Sequence, residues 1–184
     1  MQDRAPGASG DVYSPTARML HWLTVLALAF QIPIGFLMVN VENFPGVFYS
    51  GHKISGMVIL VLVIARLGYR LVHGAPADEP TLNGFEKLAS HLTHWSLYGI
   101  LLLVPFLGWL GISAYDAREA FGITIPSIAS KDVPFAERVF VWHKYGAIAL
   151  ILLAGMHVGA ALMHFFIKKD GVLSRMIPGV GRRG

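Results

Sequence analysis

The stretch from Trp142 to Lys169, WHKYGAIALILLAGMHVGAALMHFFIKK, constrains the chain more than any other. It is apolar over a length that can cross a bilayer, yet it carries His143, His157 and His164. Fourteen residues separate the first two histidines, and seven more lead to the third. At 3.6 residues per turn, steps of seven and fourteen return to nearly the same helix face. At about 1.5 Å per residue, His143 and His157 fall roughly 21 Å apart along the axis, about two-thirds of a ~30 Å hydrocarbon layer. One helix thus points imidazoles at two membrane depths on one side. A single buried histidine is readily explained by a hydrogen bond to a neighbouring helix. This spacing points instead to two metal centres stacked across the membrane, because ionisable groups at that depth are costly and by default functional.

Composition narrows the metal. Of 184 residues, 54% are hydrophobic and 14% charged, too apolar for an ordinary soluble domain. There is no cysteine, which excludes disulfides, thiolate-held clusters and covalent c-type haem. Histidine, methionine or carboxylate must hold any metal.

Four apolar segments predict an all-α, integral membrane four-helix bundle over residues 17–168. Residues 1–16 read as a polar arm without a signal-peptide pattern, and 169–184 as a basic tail. Ser14 and Pro15 mark a helix start. The first span runs from about Ala17 to Val39, with Arg18, His21 and Trp22 at its start and Pro33 within it. The second runs from about Gly51 to Val72, with His52 at its start and Arg66 fourteen residues on. Arg70 suits snorkelling to the headgroups. The third runs from about Leu88 to Ala114 and carries His91, His94, Trp95 and Pro105. Pro33 and Pro105 should kink their helices. Tyr115 to Val141 reads as the longest loop, with short amphipathic turns at Ala117–Phe121 and Phe135–Val141.

Charge sets the orientation. Arg4, Arg18, Arg66, Arg70, Lys87, Lys168, Lys169, Arg175, Arg182 and Arg183 belong to the side of the termini; Lys53, Arg118, Lys131, Arg138 and Lys144 belong to the other. The excess of Lys and Arg predicts both termini in the cytoplasm. His52 and His143 then share the outer level. His157 lies at the inner level with His21, and by depth alone with His94 as well. Two imidazoles from different helices at each level suit a porphyrin iron with two axial histidines, not structural zinc with its four converging ligands. Gly56, Gly146, Ala160 and Ala161 leave room beside these histidines for a ring edge; small residues also mediate ordinary helix packing. Arg66 and Arg18 are candidate partners for the propionates of the inner haem.

The run Thr16-Ala17-Arg18-Met19-Leu20-His21-Trp22, the Gly51-His52-Lys53 that opens the second span, and Trp142-His143 with His157 on the last resemble the bacterial di-haem cytochrome b-561 family. The resemblance extends from about Tyr13 to Pro178. It implies two non-covalent b haems in a bacterial inner membrane. Their iron ligands would be His21 with His157 on the inner haem and His52 with His143 on the outer one. His91-Leu92-Thr93-His94 resembles a histidine pair of the family that does not ligate.

Two bis-histidine haems across a bilayer form a wire, and the chain shows no nucleotide, flavin or iron–sulfur motif. Electrons must therefore pass to a quinone, a small diffusible species or a partner protein. His164, seven residues past His157, is a candidate proton relay at a quinone site, or else an interfacial residue bonded to headgroups. The resemblance places ubiquinone near such a histidine and implies a superoxide:ubiquinone oxidoreductase. Lys53 and Lys144, each directly after an outer ligand, could attract an anionic donor, with Lys131 and Arg138 weaker candidates. Asp116, Glu119, Asp132 and Glu137 dilute that field. The alternatives are a cytochrome b subunit linking the quinone pool to a periplasmic partner, and a haem-free scaffold.

Overall fold

A computed structural model describes residues 12–43 and 45–177. Arg4, Arg182 and Arg183, most of the N-terminal arm and the end of the basic tail lie outside the described residues. Four long helices make up most of the described residues: α1 Pro15–Asn40, α2 Gly46–His73, α3 Gly84–Tyr115 and α4 Val133–Met163. All four are long and apolar enough to cross a membrane.

Local signals set the helix starts. Ser14 Oγ accepts from Ala17 N, with Pro15 in the first turn of α1. Asn83 and Glu86 form a reciprocal capping box on α3. Asp132 caps α4 through Phe135 N, at 2.9 Å, with Pro134 in the first turn. This corrects the long loop predicted from Tyr115 to Val141. Phe135–Val141 is not a separate turn but the beginning of α4. Hydropathy misses it because these first turns are more polar than the span, and proline fits a helix start as well as a loop. Helices α1 and α3 continue through Pro33 and Pro105.

The segment 116–132 holds a small hairpin, Glu119–Ala120 against Ile123–Thr124, where a turn was expected at Ala117–Phe121. Phe121 and Gly122 both take positive φ, 50° and 75°, the geometry of a two-residue hairpin turn. The segment is tied down by Trp109 Nε1 donating to Pro126 O at 2.8 Å and Asp132 N donating to Ala114 O at 2.9 Å.

Helix α1 packs on α2, α2 on α3 and α3 on α4, whereas α1 and α4 make no extended contact. Small residues bring α3 and α4 close. A Cβ on Gly111 would meet the Phe140 ring at 2.5 Å, and one on Gly146 would meet Val104 Cγ2 at 2.8 Å. Ile59, Val63, Tyr98, Leu101 and Leu150 form the buried core. Leu150 lies midway between His143 and His157, so this apolar plug fills the bundle between two histidine levels. Leu26, Phe36, Val61 and Leu152 are about two-thirds exposed, as suits faces turned to lipid.

Both ends of the described chain meet at one end of the bundle. Tyr13 N donates to Arg175 O, and Trp22 Nε1 donates to Met176 O at 3.0 Å. Helix α4 closes there in a π-helical turn, His164–Lys168, followed by Lys169 in the left-handed region at φ 56°.

Candidate functional site

Four histidines on three helices meet as two pairs. Near the hairpin end, His52 of α2 faces His143 of α4, with ring centroids 6.1 Å apart and planes 79° apart. Nearer the termini, His21 of α1 faces His157 of α4, at 6.4 Å and 70°. A metal–imidazole bond of about 2.0 Å, plus roughly 1.1 Å from nitrogen to ring centre, sets two axial imidazoles about 6.2 Å apart. Both separations match. His94 lies 5.3 Å from His157, about 1 Å short of that span, and its Nδ1 has a partner in Ser90 Oγ. His91 pairs with Asp78 at 3.1 Å and is exposed. Among the described residues no cluster of three or more His, Cys, Asp or Glu could hold a metal ion by itself.

The surroundings fit a large flat group. A cavity of about 270 Å³ is lined by α1, α3 and α4, with Arg66 of α2 at its edge, and has His21, His157 and His94 in its lining. It lies where α1 and α4 are apart. Thr24, also in its lining, donates its hydroxyl to Leu20 O at 2.7 Å and so adds little polarity. At the other level, both rings rest against glycines of a neighbouring helix. A Cβ on Gly35 of α1 would lie 3.0 Å from His52 Cε1, and one on Gly108 of α3 would lie 3.1 Å from His143 Cε1.

The ring nitrogens are consistent with ligation. His143 Nδ1 donates to Val104 O at 2.8 Å, which leaves the lone pair on Nε2. His21 Nδ1 and His52 Nδ1 are buried and have no hydrogen-bond partner among the described residues. Such a buried orphan costs about 1–3 kcal/mol, so the rings call for a partner beyond the described side chains.

Sequence reasoning missed Gly35 and Gly108, although a signal for them exists. The same fourteen-residue step runs on every helix: His21 to Gly35, His52 to Arg66, His94 to Gly108, His143 to His157. Gly56 and Gly146, singled out instead, face Gln31 and Val104 and serve helix packing. Gln31 also holds α2, since its Nε2 donates to His52 O at 3.1 Å and its Oε1 accepts from Ser55 Oγ.

The charged candidates divide. Arg66 lines the cavity and lies over the Tyr98 ring at 5.3 Å. Arg18 is half-buried and is not in that lining. Arg70 stands over Trp95 at 5.9 Å and shares with Arg66 a small adjoining pocket beside Tyr13 and Tyr69. Lys53 is occupied. Its ammonium donates to Ala117 O at 2.8 Å and Glu119 O at 2.9 Å and so anchors the hairpin to α2. Lys53→Met is expected to lower stability by about 1–3 kcal/mol, the scale of charge-assisted hydrogen bonds, read from a thermal melt of the purified protein. Lys131 reaches Asp116 at 3.4 Å, and Arg138 lies over Phe135. Lys144 is exposed and has no ion-pair partner among the described residues. His164 is buried, and its Nδ1 lies 2.6 Å from Asp170 Oδ2.

Four membrane-spanning helices with paired histidines inside the bundle define a membrane cytochrome of the b type. The chain belongs to the prokaryotic cytochrome b561 family, whose profile matches residues 12–179. It is 26% identical to cytochrome b561 homolog 2 of Escherichia coli (strain K12) over 171 residues, 90% of each chain. It is 26% identical to the probable superoxide oxidase CybB of Yersinia pestis over 165 residues, 86% of this chain and 92% of that one. It is 32% identical to cytochrome b562 of Cereibacter sphaeroides over 169 residues, 86% of this chain and 90% of that one. Membrane electron transfer with b-type haem in a multi-pass bacterial membrane protein follows from the family.

Proposed function

We propose that the chain binds two b haems, takes electrons from superoxide on the periplasmic side and passes them to ubiquinone on the cytoplasmic side. The observation that carries this reading is the pair of imidazole separations, 6.1 and 6.4 Å, at two levels of one bundle. His52 and His143 would hold the outer haem, and His21 and His157 the inner one. Bound haem would supply a one-electron iron couple at each level.

Both termini lie in the cytoplasm on this reading, because Lys and Arg are in excess at that end. Arg66 is the nearer propionate partner, with Arg18, one turn before His21, the second. The core of Ile59, Val63, Leu101 and Leu150 keeps water from the path between the levels. His164 handles protons at the quinone. The balance is two superoxide anions, one quinone and two protons giving two dioxygen molecules and one quinol. The name of the Yersinia pestis relative supports superoxide as the donor.

Lys144, exposed beside His143, is the cation best placed to attract the anion, because the Lys53 ammonium is held by two backbone carbonyls. Stopped-flow mixing of superoxide with the oxidised holoprotein is expected to raise the reduced-haem α-band faster than in a control from which superoxide has been removed by a dismutase. Lys144→Glu should slow that step several-fold and weaken its dependence on salt. No reduction above the control would remove superoxide as donor and leave a carrier between the quinone pool and a periplasmic partner protein.

A further inference from the structure

Seven residues past His157, helix α4 departs from α geometry. The π-helical turn His164–Lys168 turns His164 inward, where it is 7% exposed, and the left-handed Lys169 brings the chain back beneath it. Asp170 then returns its carboxylate to the imidazole. His164 Nδ1 lies 2.6 Å from Asp170 Oδ2, and the two side chains are 9% and 5% exposed. The other carboxylate oxygen accepts from Val172 N at 3.1 Å. Both oxygens of Asp170 are therefore engaged.

The segment that carries Asp170 is fastened on several sides. Met176 O accepts from Trp22 of α1, Arg175 donates to Ala77 O of the α2–α3 connector, and Lys168 pairs with Glu86 of α3. Glu79, 5% exposed, lies against Gly171, where a Cβ would meet its Oε2 at 2.9 Å. Nothing in this arrangement lets Asp170 drift from His164.

We infer that Asp170 is a positioning residue for His164, forming with it a buried carboxylate–imidazole dyad that delivers protons to the reduced quinone. The inference rests on the proposed quinone site at His164. With Asp170 Oδ2 as acceptor of the Nδ1–H, the tautomer is fixed and Nε2 is the nitrogen left to exchange protons. Quinone reduction consumes two electrons, arriving one at a time from the donor side, and two protons. For each proton, the Nε2–H bond breaks and an O–H bond forms on a quinone carbonyl oxygen. Water on the side of the termini then returns a proton to Nε2. Asp170 gains and loses none. Among the described residues, Glu86, paired with Lys168, Glu79 and Arg175 are further charged groups around this corner.

The test uses full-length holoprotein, reduced beforehand and mixed with a short-chain ubiquinone while the haem α-band is followed. This readout does not depend on the natural donor. His164→Gln and Asp170→Asn are both expected to keep full haem content and lower the limiting oxidation rate by about 10–100-fold, the range seen when an orienting partner is lost. The quinone concentration for half-maximal rate should stay within about twofold, since binding is not what changes. Asp170→Glu should recover most of the rate. A wild-type limiting rate in Asp170→Asn beside a slow His164→Gln overturns the dyad and leaves the quinone site standing. A wild-type rate in His164→Gln overturns the quinone site itself. Should Asp170→Asn fail to load haem, Asp170→Ser takes its place under the same criterion.

Discussion

Alanine at His52 or His143 is expected to halve the haem carried per chain and leave the other centre spectrally intact. Alanine at His21 or His157 should do the converse. The physical ground is the segregation of the pairs. On the proposed reading, each pair, with centroids 6.1 or 6.4 Å apart, would hold one haem iron. The buried core of Ile59, Val63 and Leu150 stands between the levels, so removal of one ligand does not open the other site. His94→Ala discriminates. His94 is 5.3 Å from His157 and bonded to Ser90, so both haems should survive its loss. Haem extracted and counted per protein, together with reduced-minus-oxidised spectra, reads all five variants. Loss of a haem in His94→Ala with retention in His21→Ala would transfer the inner ligand from α1 to α3.

Valine at Gly35 or Gly108 is expected to abolish the outer haem although all four histidines remain. At Gly35 the first carbon alone would sit 3.0 Å from His52 Cε1, and at Gly108 it would sit 3.1 Å from His143 Cε1 and 3.3 Å from its Nδ1. Contacts this short force the ring to shift by tenths of an ångström, and the branched methyls of valine drive it further. His143 has little freedom to yield, because its Nδ1 is tied to Val104 O. Alanine at either position should weaken haem retention; valine should remove it. The haem content of the two series, with the inner α-band as internal reference, checks this. Full outer-haem content in both valine variants would mean that the rings are not held against these glycines.

Much of the architecture is legible from local chemistry. Ser14 with Pro15 announces the start of α1, and that cap forms as such residues allow; Asn83 with Glu86, not singled out from the sequence, caps α3 ahead of the start expected near Leu88. The beginning of α4 is less legible. Asp132 and Pro134 are equally good as loop residues, and the first turns lie outside the apolar window. The fourteen-residue interval is a property of one helix and can be read from the chain. Which helices face each other is not a property of any one helix, so depth alone leaves His21 and His94 equivalent.

Charge shows the same division. Lys53 and Lys144 look alike in sequence, each following a histidine at a span's start. The hairpin captures Lys53 through two backbone carbonyls and leaves Lys144 exposed. The hairpin exists because a residue pair with positive φ closes it, which hydropathy does not register.

By itself, then, the sequence determines what depends on local order: four apolar spans, the absence of thiolate chemistry, and histidines repeated at two heights. Helical periodicity carries these without reference to any partner. The tertiary structure supplied the distances from His21 and His52 to α4, a pairing already implied by resemblance, and it alone decided the seating of rings on Gly35 and Gly108 and the approach of Asp170 to His164. Each of these depends on distances between segments remote in the chain, and packing, not periodicity, sets those distances.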